Sequence, residues 1–496
     1  MPTTIASLSS EILSLIFIES LPRRPEVHDG IGRGPFYAAP LIVSWVCKQW
    51  RNAALATSIL WAGISLCVLD HRLLNRYQAQ RAAVAAAKLS TFAERAAGRS
   101  LEVAIGCPRV PGFYSSEQFE PIVEALDRLP NRNHIRWLSL QLPGNAIEAF
   151  AACAHDRLDF AGVASLSLYF PRLSDGWPIR MFRHFPNILS LTLHHVSLSR
   201  LPGLPWSSLT DLFGDRCGIG DAVQIMRQAP NLRRAYFDVL ARHLEVHPGE
   251  GWNDEDREFG HPPDDTQRVS LDLLESFEVS ESCGICPHIL EYVRLPAVRS
   301  LTLGVSDDHL STNTEDHDVL HPTVFRNFLT RSGTAHLEEL VLLSTWRHAD
   351  WPEWANDPFK DLGVTEATFG GVVPSFALAF FNRLQHYDAF LPCLRRLEIR
   401  CQEWEEDELQ SSEGDDSSSE PDSSFEAVLA VAGEAILARN ARSSANNGNY
   451  PSRIQSFTLL SDGGRPVDQS MLDLGQVTAL QSSGVEVVIA SEDMSY

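Results

Sequence analysis

An apolar residue followed at three and at five positions by two more recurs through most of this chain, and no other feature limits the fold so tightly. Clear copies are Ile135/Leu138/Leu140, Val163/Leu166/Leu168, Ile188/Leu191/Leu193 and Leu274/Phe277/Val279. The pattern continues as Val298/Leu301/Leu303, Leu337/Leu340/Leu342, Leu394/Leu397/Ile399 and Ile454/Phe457/Leu459, with weaker copies at Leu209/Leu212 and Leu232/Phe237. The last two positions alternate, as in a short strand with one buried face. Several copies follow a proline (Pro130, Pro186, Pro230, Pro296, Pro392), and amphipathic stretches such as Ile122 to Leu129, Ile179 to Phe185 and Phe376 to Leu391 stand before the proline. The unit is therefore a helix, a Pro-marked turn and a strand. One such unit cannot bury its own apolar face, so neighbours must stack and share a core.

Leu140, Leu168 and Leu193 are spaced by 28 and 25 residues. The pattern resembles leucine-rich repeats, whose units run about 20 to 29 residues. That resemblance implies a parallel sheet along a concave surface with helices behind. Such repeats usually carry Asn or Cys three residues after the last strand Leu; here those positions read Pro143, Pro171, Val196, Ser306, Thr345 and Gln402. The asparagine ladder is missing, and later spacings stretch to about 39, 57 and 60 residues through insertions, so the array is irregular. An ordinary α/β domain with similarly patterned strands is the alternative. A doubly wound fold would show longer β-branched strands and a Gly-rich first turn, and neither is present.

The insertions are polar: about 245–267, 306–318, 346–368 and 403–424. The third carries Trp346, Trp351 and Trp354, read either as a target-binding surface or as packing onto the adjacent repeat. The fourth packs ten carboxylates among serines between Glu403 and Asp422. It is a solvated loop or, on the sharper reading, a phosphorylatable segment around Ser411-Ser412 and Ser417 to Ser419.

The start of the chain has a different character. Leu8, Ile12, Leu15 and Ile16 share one side of a helix running to Leu21, and Leu13, Phe17 and Leu21 share a neighbouring side. Ser9 or Ser10 can cap it, Glu11 suits its positive end, and Pro22 stops it. Leu41 to Leu55 again has apolar spacing, and Trp45, Trp50 and Trp61 add three large aromatics. A helix apolar around most of its circumference must be covered on two sides, by the rest of the chain or by a partner. A long Ala-rich helix over about Leu69 to Ala97, ended by Gly98, then leads into the repeats.

Leu8-Ser9-Ser10-Glu11-Ile12-Leu13 with Ile16-Phe17, Val46-Cys47-Lys48-Gln49-Trp50-Arg51, and Thr57-Ser58-Ile59-Leu60-Trp61 follow one another in order. Together they resemble the F-box type common in mushroom-forming fungi, in which a longer loop, here Arg23 to Pro40, precedes the second helix. Ser9 and Ser58 stand where that family usually has Pro. The resemblance implies a fold class of α/β with an all-helical F-box at 1–66, a linking helix at 67–99 and an irregular leucine-rich-repeat solenoid over 100–496. It implies a substrate-recognition subunit of a Skp-cullin-F-box type ubiquitin ligase, whose partners are a Skp-type adaptor, a cullin and an unknown protein substrate. Leu8, Ile12, Leu13, Ile16, Phe17, Val46, Trp50, Leu60 and Trp61 are the residues expected to form the F-box core or touch the adaptor. The alternative is a leucine-rich-repeat binding scaffold outside ubiquitin transfer.

Composition narrows the rest. A net charge of −23, from 41 basic and 64 acidic residues, argues against nucleic acid or anionic membrane as a main partner. No apolar run reaches the roughly 18 residues of a membrane span, and Glu11 and Glu19 interrupt the apolar start, which lacks a secretory leader's basic residues. Nine scattered cysteines and the lack of any Asn-x-Ser/Thr acceptor fit a cytoplasmic or nuclear setting. Cys283-Gly-Ile-Cys286, with His288 nearby, has redox or metal spacing but no second pair, and reads as structural cysteines. His243 and His247 are four apart, with Glu245 at the wrong place for a metalloprotease motif. Gly30, Gly32 and Gly34 form a short run outside any strand-to-helix turn. No nucleophile elbow or phosphate loop is present, so no catalytic, cofactor or metal site is expected. A phosphate-reading surface would need clustered Arg on the strands, for which Arg395 and Arg400, with Arg396, are the candidates.

Overall fold

The apolar triplets become strands, and within each compact unit every strand pairs in parallel with the next of its sheet along the chain. The computed structural model describes residues 8–20, 39–67, 75–106, 115–129, 135–142, 144–154, 157–158, 160–169, 182, 185–194, 201–239, 268–282, 288–306, 322–333, 337–343, 359–402, 425–445, 451–462 and 475–492. They belong to two compact units, Met1–Cys217 and Gly218–Tyr496.

The first unit opens with α1 (Ser10–Glu19), α2 (Ala39–Val46), α3 (Lys48–Ala56) and a 3-10 turn, Ser58–Trp61. There follow β1 (Gly63–Cys67), α4 (Asn75–Arg95), β2 (Leu101–Gly106), α5 (Glu120–Asp127), β3 (Ile135–Gln141), α6 (Gly144–Ala154), β4 (Ser165–Tyr169), β5 (Ser190–His194) and β6 (Asp211–Cys217). The strands lie in the order β1 to β6. Register keeps the leucines in columns: Leu140 faces Leu168, which faces Leu193.

The second unit holds α7 (Ile219–Gln228), β7 (Arg234–Val239), β8 (Val269–Ser270), β9 (Ser276–Ser282), α8 (Ile289–Tyr292), β10 (Val293–Arg294) and β11 (Ser300–Ser306). It continues through α9 (Pro322–Ser332), β12 (Glu339–Leu343), β13 (Glu366–Val372), α10 (Pro374–His386), β14 (Arg396–Gln402), α11 (Phe425–Ala445), β15 (Ser456–Asp462), α12 (Gly475–Ser482) and β16 (Glu486–Glu492). Eight strands run β7, β9, β11 and on to β16, while β8 and β10 form a separate parallel pair. Parallel neighbours require a crossover between them, and the Pro-marked segments supply it.

All eight clear triplets are buried. At the starts of the strands, backbone hydrogen bonds close the turns. Leu189 and Ser190 both donate to the Ala164 carbonyl at 2.8 and 3.0 Å, Glu275 and Ser276 to Arg233, and Arg299 and Ser300 to Glu275. Where α11 meets the turn before β15, a helix residue does the same work: Ile454 N donates to Asn440 Oδ1 at 2.8 Å, and Asn440 Nδ2 donates to Ile454 O at 3.1 Å. Beside it, the buried Arg439 donates to the Phe390, Leu391 and Ser452 carbonyls.

The structure changes three expected boundaries. Residues 67–99 are not merely a linking helix after the helical module: β1 pairs with β2 through Ile64 and Val103, so the sheet begins at Gly63, and α4 is the crossover between its first two strands. Trp61, Ile64 and Leu66 form a further copy of the triplet, all buried. The stretch 100–496 divides between the two units, near Cys217. The insertion placed at 346–368 runs into β13, where Val364, Ala367 and Phe369 form a further buried triplet. The Ala-rich helix does end as expected: Ala97 and Gly98 take left-handed φ values of 52° and 81°, and glycine adopts such a helix exit without a Cβ penalty.

Among the described residues, no helix is long and apolar enough to cross a membrane. None of their His, Cys, Asp and Glu side chains form a group of three or more placed to hold a metal ion.

Candidate functional site

The first three helices divide their apolar residues between two directions. α1 and α2 both pack on α3, whose Ala53 and Ala54 are buried and small enough to admit close neighbours. Leu13 and Phe17 of α1 point into this packing, and Phe17 meets Trp50 with ring centroids 5.0 Å apart. Ile12, Leu15 and Ile16 of the same helix stay in solvent, as do Ile42, Trp45 and Val46 of α2. Trp45 is 73% exposed, Leu15 58% and Val46 57%. Each helix thus presents residues i, i+3 and i+4 on its uncovered side.

Local hydrogen bonds hold the helices in place. Ser9 caps α1 by accepting from Ile12 N. Ser14 shares a 2.7 Å hydrogen bond with Thr57, and Gln49 Nε2 donates to Leu8 O at 2.8 Å. Cys47 caps α3, its Sγ accepting from Trp50 N. Glu11 sits in the first turn of α1; its own backbone N–H, then Ser9 and Ser10, hold its carboxyl below the usual range. An open groove between α1 and α3 is lined by Ser10, Lys48, Gln49, Asn52, Ala53 and Ala56.

The nine residues expected in the core or at the adaptor are therefore separated. Leu13, Phe17, Leu60 and Trp61 are buried and unavailable to a partner. Leu8 and Trp50 are half-buried. Ile12, Ile16 and Val46 are exposed, and Leu15, Ile42 and Trp45 join them. Leu15 and Trp45 stand out in the sequence without belonging to the nine, and Ile42 does not, although the spacing of 12/15/16 and 42/45/46 carries the signal. Trp61 packs against both α3 and α4. Its Nε1 donates to Ala54 O at 2.8 Å, Phe92 of α4 meets its ring edge-on at 5.0 Å, and the Arg95 guanidinium lies 4.3 Å from its centroid. Ser58, where the F-box family usually has Pro, accepts from Arg99 Nε at 2.7 Å.

Arg396 and Arg400 lie on β14 and Arg395 just before it, and both strand arginines pair with carboxylates. Arg400 Nε donates to Glu398 Oε1 at 2.7 Å, and Arg396 pairs with Glu366 at 2.9 Å. His288 lies 2.6 Å from Glu281, whose other oxygen accepts from Ile289 N at 2.9 Å. Trp346, Trp351, Trp354, Cys283, Cys286, His243, His247, the glycines at 30, 32 and 34, and the acidic run 403–424 lie outside the described residues. Searched against known proteins, the chain matches no family model and no curated sequence.

Proposed function

We propose that this chain is the substrate-recognition subunit of a Skp-cullin-F-box type ubiquitin ligase, with the first three helices as F-box and the strands as a leucine-rich-repeat array. The single observation that supports this most is the pair of exposed apolar triads on α1 and α2. Exposed apolar groupings mark interaction surfaces, and Trp is enriched where binding energy concentrates. The Skp-type adaptor covers these triads and brings in the cullin; the array holds a protein target. The chain performs no bond chemistry. It raises the local concentration of target lysines near the charged ubiquitin-conjugating enzyme.

The test is co-purification of the full chain with the adaptor and cullin of its own host, beside an Ile12→Asp/Trp45→Ala variant. The wild type should co-elute with both partners. The variant should lose them while melting at the same temperature, since both positions are solvent-facing. A folded wild type that fails to bind the adaptor overturns this function and leaves a repeat scaffold.

A further inference from the structure

His194, on the sheet face of the first unit opposite the buried leucines, is only 1% exposed. In register it stands between Tyr169 of β4 and Asp215 of β6. Its Nδ1 lies 2.7 Å from Asp215 Oδ2. In the tautomer whose Nδ1–H donates to that carboxylate, Nε2 carries the lone pair. Nε2 is buried and has no hydrogen-bond partner, and the same is true of Ser139 Oγ on β3. Ser139 belongs to this face too, opposite Ser167, which is opposite Thr192. Folded proteins leave few such groups unsatisfied, and an unfilled ligand position is one reason they do.

The surroundings define what would satisfy Nε2. The imidazole is flanked by Tyr169 at 5.5 Å and Phe213 at 5.7 Å. Glu102, Asp211 and Asp215 occupy paired strand positions on this face, and no Lys or Arg does. A lone-pair acceptor, aromatic walls and carboxylates together favour a planar cation rich in N–H donors. We infer that this face takes a basic peptide segment of the target, with an arginine guanidinium donating to His194 Nε2 between the two rings. Tyr169 and Phe213 are half-buried, and rotation of their side chains is the opening the ligand requires. The inference rests on the array being the target-binding part, and its test does not pass through the adaptor.

The experiment is fluorescence anisotropy on the full chain with a labelled peptide of alternating arginine and glycine, beside the same peptide with citrulline in place of arginine. One charged hydrogen bond corresponds to roughly tenfold or more in affinity. The arginine peptide should bind at least that much tighter than the citrulline peptide, and His194→Phe should remove about the same factor. Asp211→Asn, which leaves the buried pair intact, should weaken binding about threefold. Glu117→Gln removes one charge at an exposed site elsewhere and should change binding less than about twofold. Equal affinities for the two peptides overturn the inference, as does a folded His194→Phe that binds like wild type. If His194→Phe does not fold, Asp211→Asn decides: a loss no larger than that of Glu117→Gln shows mere attraction to an acidic chain and overturns it. Adaptor co-purification by Asp211→Asn separates this outcome from failure of the ligase function.

Discussion

The helices at the start of the chain and the strands that follow are built from the same apolar residue types and dispose of them in opposite ways. Along β3, β4 and β5 the leucines stack in register and lose nearly all contact with water, while Ser165, Ser190 and Thr192 on the opposite face are only half-buried. In α1 and α2, isoleucine, leucine, valine and tryptophan remain in solvent although the opposite sides of the helices are packed. A repeat can always bury its apolar face on the next repeat. Three short helices have no next copy, so what they cannot bury on each other remains for something else. Burial in the array reports on folding; exposure in the helices leaves the surface that the proposed adaptor would cover.

That contrast can be broken most directly by paired truncations. Leu166→Ala, in the middle of the first unit's strands, should cost about 2–5 kcal/mol in denaturant unfolding of the full chain. Leu15→Ala on α1 should change stability by no more than about 0.5 kcal/mol. Comparable losses at the two positions would mean that the α1 surface is core after all. A smaller effect is expected at Arg439, whose guanidinium is drawn down to about 10, mainly by burial and then by Arg442, and is still charged at neutral pH. Arg439→Leu strips donors from carbonyls around residues 390 and 391 and should cost about 1–3 kcal/mol. An unchanged unfolding midpoint would show that those carbonyls are met by water. The smallest effect is electrostatic. Glu278, on an outward strand position, has its carboxyl pushed above the ordinary 4.5 by partial loss of water among the strands and then by Glu339. Its contribution to stability is therefore most favourable below pH 4.5 and is lost as pH rises through the raised value. An NMR titration should place its midpoint above 4.5, and Glu339→Gln should bring it down; a midpoint at or below 4.5 would contradict the desolvation.

Much of the array was legible because Leu, Ile, Val and Phe mark its strands at a fixed offset. It was illegible where a triplet used other residues. Val364/Ala367/Phe369 hid behind an alanine, whose small side chain signals little in a strand. Trp61/Ile64/Leu66 hid because Trp61 also reads as part of the helical segment. β16 follows Gly484, which gives no apolar first position. The helices themselves were legible from spacing, but which apolar side would be covered was not: Ile12 and Leu13 are adjacent, and only the position of α3 distinguishes them. His194 and Asp215 are 21 residues apart, and nothing short of the strand register brings them together.

Trp61 belongs at once to the last turn of the helical segment and to the first triplet of the sheet. The chain therefore has no clean seam there. A fragment cut before Trp61 to isolate the strands would leave a ring-sized hole under Phe92 and Arg95; a fragment cut after it would leave the helices carrying an indole with nothing to rest on. Engineers who wish to transplant the helices should carry β1 and α4 with them. For the same reason, hydrogen exchange should find α3 and α4 opening together rather than one after the other.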